Sequence, residues 1–261
     1  MKKIIVKSLS FSTVKQYTEM CPEAVFYDKV EHLPREDGVS ANLLFGSAIH
    51  TVSEAWYRGL FLNHEFDFDV LFRVFTSCWN QTPEKDVQYG AKSKEAMFSM
   101  AEVMIKLLMQ DERLYQLLGV ETPIIYKLTD SLTIVGKADL VYRDKEGILN
   151  IVDIKTAAKK YGPSEIHAVT SQTSVYGWPY NEPVKLGVKL FVKTKAPSLI
   201  NIELTDPIDE DEVKNKFIQT QKGIQLGIRY KVRSWWCNGC QFAYHCNRNV
   251  NQQPNERRLA A

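Results

Sequence analysis

Apolar residues in the first half of the chain recur at three- and four-residue steps. Ile49, Val52 and Trp56 share related faces within residues 46–57. Met97, Met100, Val103, Met104, Leu107 and Leu108 do the same within residues 92–118, so both stretches are expected to be helical. A further helix is expected to begin at Ser12 or Thr13, either of which can cap it, and to run toward Cys21. The period then changes. Residues 124–128, 132–142 and 148–156 are rich in β-branched side chains and separated by turn-forming stretches, which predicts a three-strand meander. A helix over 164–176, strands over 185–193 and 199–204, and a helix over about 209–223 complete the order. A strand, a crossover helix and a second strand favour parallel pairing, so the expected class is α/β, with a mixed central β-sheet flanked by helices.

No repeat or low-complexity linker interrupts the chain, which predicts one domain. Within it we expect a helical elaboration over about 40–118, a core over about 119–205 and a cysteine-bearing segment over about 230–250. The Asn-, Gln- and Arg-rich tail, 247–261, is expected to be loose. Composition changes this picture little: 261 residues, 44% hydrophobic and 25% charged, suffice for a sizeable core. No apolar run reaches about 18 residues, and that at the start is too short for a signal peptide, so no membrane partner and a cytoplasmic location are expected. A net charge of +2 announces no polyanion, so any nucleic-acid contact must come from local clusters of Lys and Arg.

Candidate chemistry sharpens the reading. On the third strand of the meander, Asp153-Ile154-Lys155 puts two charged side chains on one face, with Ile154 on the other. The preceding strand holds Asp139 inside the apolar run 134–141, and buried acids are rare unless paired or metal-bound. Carboxylate oxygens suit hard Mg²⁺ or Mn²⁺, and such an ion with a nearby lysine fits phosphodiester hydrolysis. Lys155 would position the attacking water or stabilise developing negative charge. An Asp139–Lys155 ion pair that only braces the sheet is the plain structural alternative. Cys237, Cys240 and Cys246 are three soft ligands within reach of one centre, and an odd total of five cysteines argues against a disulfide framework. Spacing leaves zinc and an iron–sulfur cluster both open. Cys78 reads as a buried small hydrophobe.

The combination Gly136-x-x-Asp139 with Asp153-Ile154-Lys155 resembles the RecB-like branch of the PD-(D/E)XK nucleases, whose restriction-endonuclease-like core has the same element order. The resemblance implies Asp139 and Asp153 as catalytic metal ligands, the backbone carbonyl of Ile154 in the metal shell, and Lys155 as catalytic cation. It also points to a glutamate before the first strand, here Glu121. Gly46-Ser47-Ala48-Ile49-His50 resembles the family's glycine-to-histidine helix motif, which would make His50 a nitrogen ligand. Gln172-x-x-x-Tyr176 resembles its Q-x-x-x-Y motif, and the four-residue spacing sets both side chains on one helical face. RecB-like exonucleases, the CRISPR-associated Cas4-type enzymes among them, join one early cysteine to three late ones. The resemblance therefore implies a [4Fe–4S] cluster on Cys21, Cys237, Cys240 and Cys246, within a C-terminal Fe–S segment; His245, by its position beside Cys246, is an alternative ligand in place of a cysteine. The implied function is a Mg²⁺- or Mn²⁺-dependent exonuclease acting on single-stranded DNA or DNA ends, with helicase, recombination or CRISPR-adaptation proteins as partners. A non-cutting scaffold that holds DNA ends is the rival. Trp235, Trp236, Phe242 and Tyr244 are candidates for base stacking or for packing around the cluster.

Overall fold

The computed structural model describes residues 4–35, 38–111 and 114–246, so the tail expected to be loose lies outside the described residues. The chain opens with β1 (Ser8–Leu9) and α1 (Phe11–Lys15). The cap is Ser10, whose hydroxyl accepts the Thr13 N–H at 3.2 Å; the expected caps Ser12 and Thr13 already lie inside the helix. Two π-turns, Gln16–Met20 and Phe26–Val30, flank α2 (Pro22–Val25). β2 (Val39–Ser40) precedes the long α3 (Ala41–Phe61), which is followed by α4 (Phe68–Trp79), β3 (Val87–Gln88) and α5 (Lys94–Met109). β2 and β3 pair in parallel beside these helices.

The sheet follows: β4 (Gln116–Thr129), β5 (Leu132–Arg143), β6 (Leu149–Ala157), α6 (Pro163–Gly177), β7 (Val184–Val192) and β8 (Ser198–Glu203), with α7 (Glu210–Gln225) last before a 3₁₀ turn and α8 (Ala243–Cys246). The α5 region departs from expectation. Leu114, Leu117 and Leu118 extend its apolar spacing, yet the helix stops at Met109 and β4 begins at Gln116. Two interactions outweigh helical propensity there. Asp111 leaves the helix to reach Lys189 and Asn201, and residues 116–120 pair with 140–143 of β5.

β6 and β7 are parallel across α6, while the β4–β5, β5–β6 and β7–β8 pairs are antiparallel, as a mixed sheet requires. Alternation along β6 sends Val152 and Ile154 into a core with α3, α4 and α5, and Leu149 and Ile151 into a second core with α1, α6 and α7. The sheet is thus covered on both faces. Cys78, expected to be buried, is half-buried at the rim of the first core, its Sγ 3.7 Å from Thr51 Oγ1.

One feature of topology makes a site. β4 covers one edge of β5 along its length, but the other edge is divided between β1, at Thr133–Ile134, and β6, at Leu140–Arg143. Residues 135–139 on that edge have no strand partner among the described residues, and Asp139 stands where β6 peels away.

Candidate metal and catalytic site

At this fork the β5–β6 ladder ends with Leu140 opposite Val152, leaving the Ile154 N–H without a β5 carbonyl. Asp139 Oδ2 accepts that N–H instead, at 2.6 Å, and this pins the carboxylate to the strand carrying Asp153 and Lys155. The same oxygen lies 3.0 Å from His50 Nε2. His50 reaches it because Gly46, one helical turn earlier, lets α3 press on the end of β6: a Cβ there would sit 3.0 Å from Thr156 Oγ1. The other ring nitrogen, Nδ1, is 3.5 Å from Glu121 Oε1, and Glu121 Oε2 is 3.1 Å from Lys137 Nζ. Glu121 adopts φ 52° within a β-strand, a left-handed conformation that costs a non-glycine residue about 1–3 kcal/mol.

Asp139 and Asp153 are 7% and 2% exposed. Asp153 Oδ2 pairs with Lys155 Nζ at 2.6 Å, and its Oδ1 faces Gln172 Nε2 at 3.4 Å. Gln172 also donates to the Tyr176 hydroxyl at 2.9 Å. The Tyr176 ring occupies the space above Gly136, where a Cβ would come within 2.8 Å of it. Burial raises the Asp153 carboxyl to about 6, against the opposing pull of Lys155. Burial also pushes the Lys155 ammonium down, but the Asp153 charge outweighs it and the net shift is upward. The hydrogen bond to Asp139 raises His50, with the charges of Glu121 and Asp153 adding to it.

The sequence-predicted residues His50, Asp139, Asp153, Lys155, Gln172 and Tyr176 therefore share one region, with the Ile154 N–H bound to Asp139. The tightest group of metal-donor atoms among the described residues is His50, Glu121 and Asp139, mutually within 4.8 Å. One imidazole and two carboxylates suit a divalent ion with a taste for oxygen. Glu121 was approachable from sequence only through family resemblance, because its positive φ breaks the alternation that picks out facing residues.

Cys21, Cys237, Cys240 and Cys246, the cysteine clamp between the two ends of the chain, are all half-buried. Cys21, Cys240 and Cys246 pack against Ala24, Tyr27 and Phe242, and burial with the charges of Cys21, Cys237 and Cys246 pushes the Cys240 thiol up. Residues more than two hundred apart in sequence are thus neighbours. His245 directs Nε2 to the Pro34 carbonyl at 2.9 Å. Phe242 is core, 5.9 Å from the Tyr27 ring, whereas Tyr244 is exposed; the Trp235 side chain lies outside the described residues.

Fold and site together define an α/β protein whose mixed sheet forks at a pair of buried acids, one of them paired to a lysine. The sequence profile of the PD-(D/E)XK nuclease superfamily matches residues 8–247, and the chain belongs to that superfamily. Among solved structures it is similar to a candidate exonuclease from Eubacterium rectale, with TM-score 0.54, 14% identity, and 98% of this chain and 93% of that chain covered. It also aligns with the protein SSO0001 at TM-score 0.41 and 14% identity, over 92% and 96% of the two chains. No curated protein matches the chain. Among the described residues, no helix is long and apolar enough to cross a membrane.

Proposed function

We propose that the protein is a Mg²⁺- or Mn²⁺-dependent deoxyribonuclease that hydrolyses phosphodiester bonds in single-stranded DNA or at DNA ends, in the manner of RecB-like exonucleases. The observation that carries this reading is Asp139 at the fork, held by the Ile154 N–H and facing His50, with the Asp153–Lys155 pair on the next strand. His50, Glu121 and Asp139 would hold the ion, with Asp153 and the Ile154 carbonyl beside them. A bound divalent ion supplies neutralisation of phosphate charge and a lower pKa for water. The chain's own residues do the rest. Lys155, with its side chain half-buried, offers a compact positive charge to the phosphate oxygens as negative charge develops. Gln172 and Tyr176 fix the Asp153 carboxylate from the α6 side, and Asp139 fixes the β5–β6 spacing. His50 must give up a proton to act as a ligand, so metal capture and proton release are coupled.

The same reading assigns a [4Fe–4S] cluster to Cys21, Cys237, Cys240 and Cys246; the packing of Cys21, Cys240 and Cys246 around Phe242, with Cys237 close enough to act on the Cys240 thiol, supports it. Helicase, recombination or CRISPR-adaptation partners follow from the RecB-like and Cas4-type resemblance alone. Cleavage of end-labelled single-stranded and duplex DNA with Mg²⁺, Mn²⁺ and chelator tests the activity. Metal-dependent loss of terminal nucleotides is expected. Binding without cleavage under every condition would replace this reading with that of an end-holding scaffold.

A further inference from the structure

Beyond the acid site, two lysines meet where β6 and β7 end. Lys193 follows β7, and its N–H donates to the Ala157 carbonyl at 2.7 Å. Its ammonium lies 5.5 Å from the centroid of the Phe45 ring and 3.5 Å from Asn42 Oδ1, in the first turn of α3. Lys92, just before α5, donates its ammonium to the Lys193 carbonyl at 2.9 Å. Among the described residues, neither ammonium has a carboxylate oxygen within 4.0 Å, whereas Lys94, two positions on, is paired to Glu84 at 2.6 Å. Burial, reinforced by the Lys92 charge, pulls the Lys193 pKa down. Two like charges held together by backbone and ring contacts, one of them partly desolvated, make a concentration of positive potential that an anion would relieve.

Two elements connect this pair to the acid site and agree on the separation. Along β6, Ala157 is four residues beyond Asp153, about 13 Å at strand rise. Along α3, Asn42 is eight residues before His50, about 12 Å at helical rise. With the B-form rise of about 3.4 Å per nucleotide, and fewer nucleotides if the strand is extended, this spans roughly two to four nucleotides.

We propose that Lys92, Lys193 and Asn42 form a subsite for one phosphodiester of the substrate backbone, two to four nucleotides from the scissile bond. The assignment rests on the nuclease reading above for its substrate. Its chemistry reads no base: two ammonium groups give charge and the Asn42 amide N–H₂ a directional donor, so it fixes the strand without sequence preference.

The salt dependence of binding tests it. A fluorescein-labelled single-stranded oligonucleotide is titrated, without added metal, with the wild-type protein and a variant carrying Lys92→Gln and Lys193→Met, the methionine keeping an apolar stem over Phe45. If both lysines contact phosphate, the slope of log K against log salt flattens by about 1.4, from about 0.7 per contact. Lys193→Arg should retain the wild-type slope, and Lys92→Gln alone, should the double variant not fold, should flatten it by about 0.7. An unchanged slope in a folded variant overturns the subsite. A walk of single neutral methylphosphonates along a cleaved oligonucleotide then tests register. Wild-type cleavage should fall about tenfold at one position two to four nucleotides from the cut, and this dip should vanish in the double variant. A dip that persists in the variant overturns the placement. If no DNA is cleaved with Mg²⁺ or Mn²⁺, the nuclease reading fails, but the salt slope still decides the subsite.

Discussion

The acid site and the cysteine clamp each gather residues of metal-donor type from distant parts of the chain, but different scaffolds hold them. His50, Glu121, Asp139, Asp153 and Lys155 ride on a long helix and three long strands, with the two aspartates buried and the other three half-buried. The clamp cysteines sit on short elements: Cys21 where a π-turn meets α2, and the others on a 3₁₀ turn, a loop and a four-residue helix. What brings the two ends together is a set of polar contacts around Arg229. Its guanidinium grips both oxygens of Glu23 at 2.7 and 2.8 Å, pairs with Glu31, and lies over the rings of Phe26 and Tyr27. Beside it, the Glu23 N–H donates to the Tyr230 carbonyl and the Tyr17 hydroxyl to that of Ile228. The difference teaches that regular structure carries the burden of unfavourable charge at the acid site, whereas satisfied charge replaces regular structure at the clamp.

The largest expected effect lies in the acid site. Asp153→Ala and Lys155→Ala should each reduce DNA cleavage by about 10³-fold or more, with unfolding curves that stay cooperative. Lys155→Arg should fail as well, since a planar guanidinium does not reproduce a compact ammonium. Steady-state cleavage of each purified variant checks this, and near-normal turnover in any of them removes the site assignment.

Next comes the clamp. Cys21→Ala should abolish the broad absorption near about 400 nm expected of anaerobically purified protein, and should lower stability by several kcal/mol by opening a loop of more than two hundred residues. Cys78→Ala, at the rim of a core, should leave colour intact and cost far less. A colourless, zinc-bearing protein would refute the cluster; colour retained in Cys21→Ala would refute the fourth ligand. Arg229→Met should loosen the same region with the thiols in place, read as faster hydrogen exchange in α2 and the segment around residue 230.

Acid titration of the metal-free protein should separate the regions by sign. The Asp153 carboxyl is raised in the folded state by burial, so its charge opposes folding at neutral pH. That penalty recedes as pH falls through about 6 toward the ordinary carboxylate value, and Asp153→Asn should remove it, stabilising the protein at pH 7.5. Glu23 is held below its ordinary value by Arg229, so its contribution is present above the unfolded pKa and is lost as pH falls through the folded one. Melting curves from pH 8 to 3 should therefore rise, then fall. A steady decline from pH 8, with Asp153→Asn no more stable than wild type, would contradict the first half.

The smallest effect concerns Glu121. Because its φ is positive, Glu121→Gly should be more stable than Glu121→Ala by about 1–2 kcal/mol, the reverse of the usual order in a strand. Both should weaken Mn²⁺ binding. Chemical denaturation of the pair decides it.

The fold was legible wherever periodicity and burial coincide. The meander, the crossover helix and the mixed sheet follow from alternation and β-branching, as does the opposed facing of Ile154 and its charged neighbours. The start of β4 was not, because Leu117 and Leu118 prolong a helical spacing that only pairing with β5 overrides. α4 was not singled out either, although Leu71, Phe75 and Trp79 recur at four-residue steps on its buried face. At the site, Asp139, Asp153 and Lys155 stand out as charges inside apolar strands. The fork that frees the Ile154 N–H, and the backbone turn that brings Glu121 to His50, are matters of pairing and φ that residue types do not encode. The Lys92–Lys193 meeting was equally hidden, since it joins residues a hundred positions apart.

The account stands or falls on Asp139 as the residue that joins metal capture to cleavage. Titration of Mn²⁺ into wild-type and Asp139→Asn protein, with cleavage of end-labelled DNA followed in the same samples, addresses it directly. The account predicts that wild-type protein binds Mn²⁺, more tightly as pH rises and His50 loses its proton, and cuts DNA only with the ion present. Asp139→Asn should do neither. Unchanged Mn²⁺ affinity and undiminished cleavage in a folded Asp139→Asn protein would contradict it.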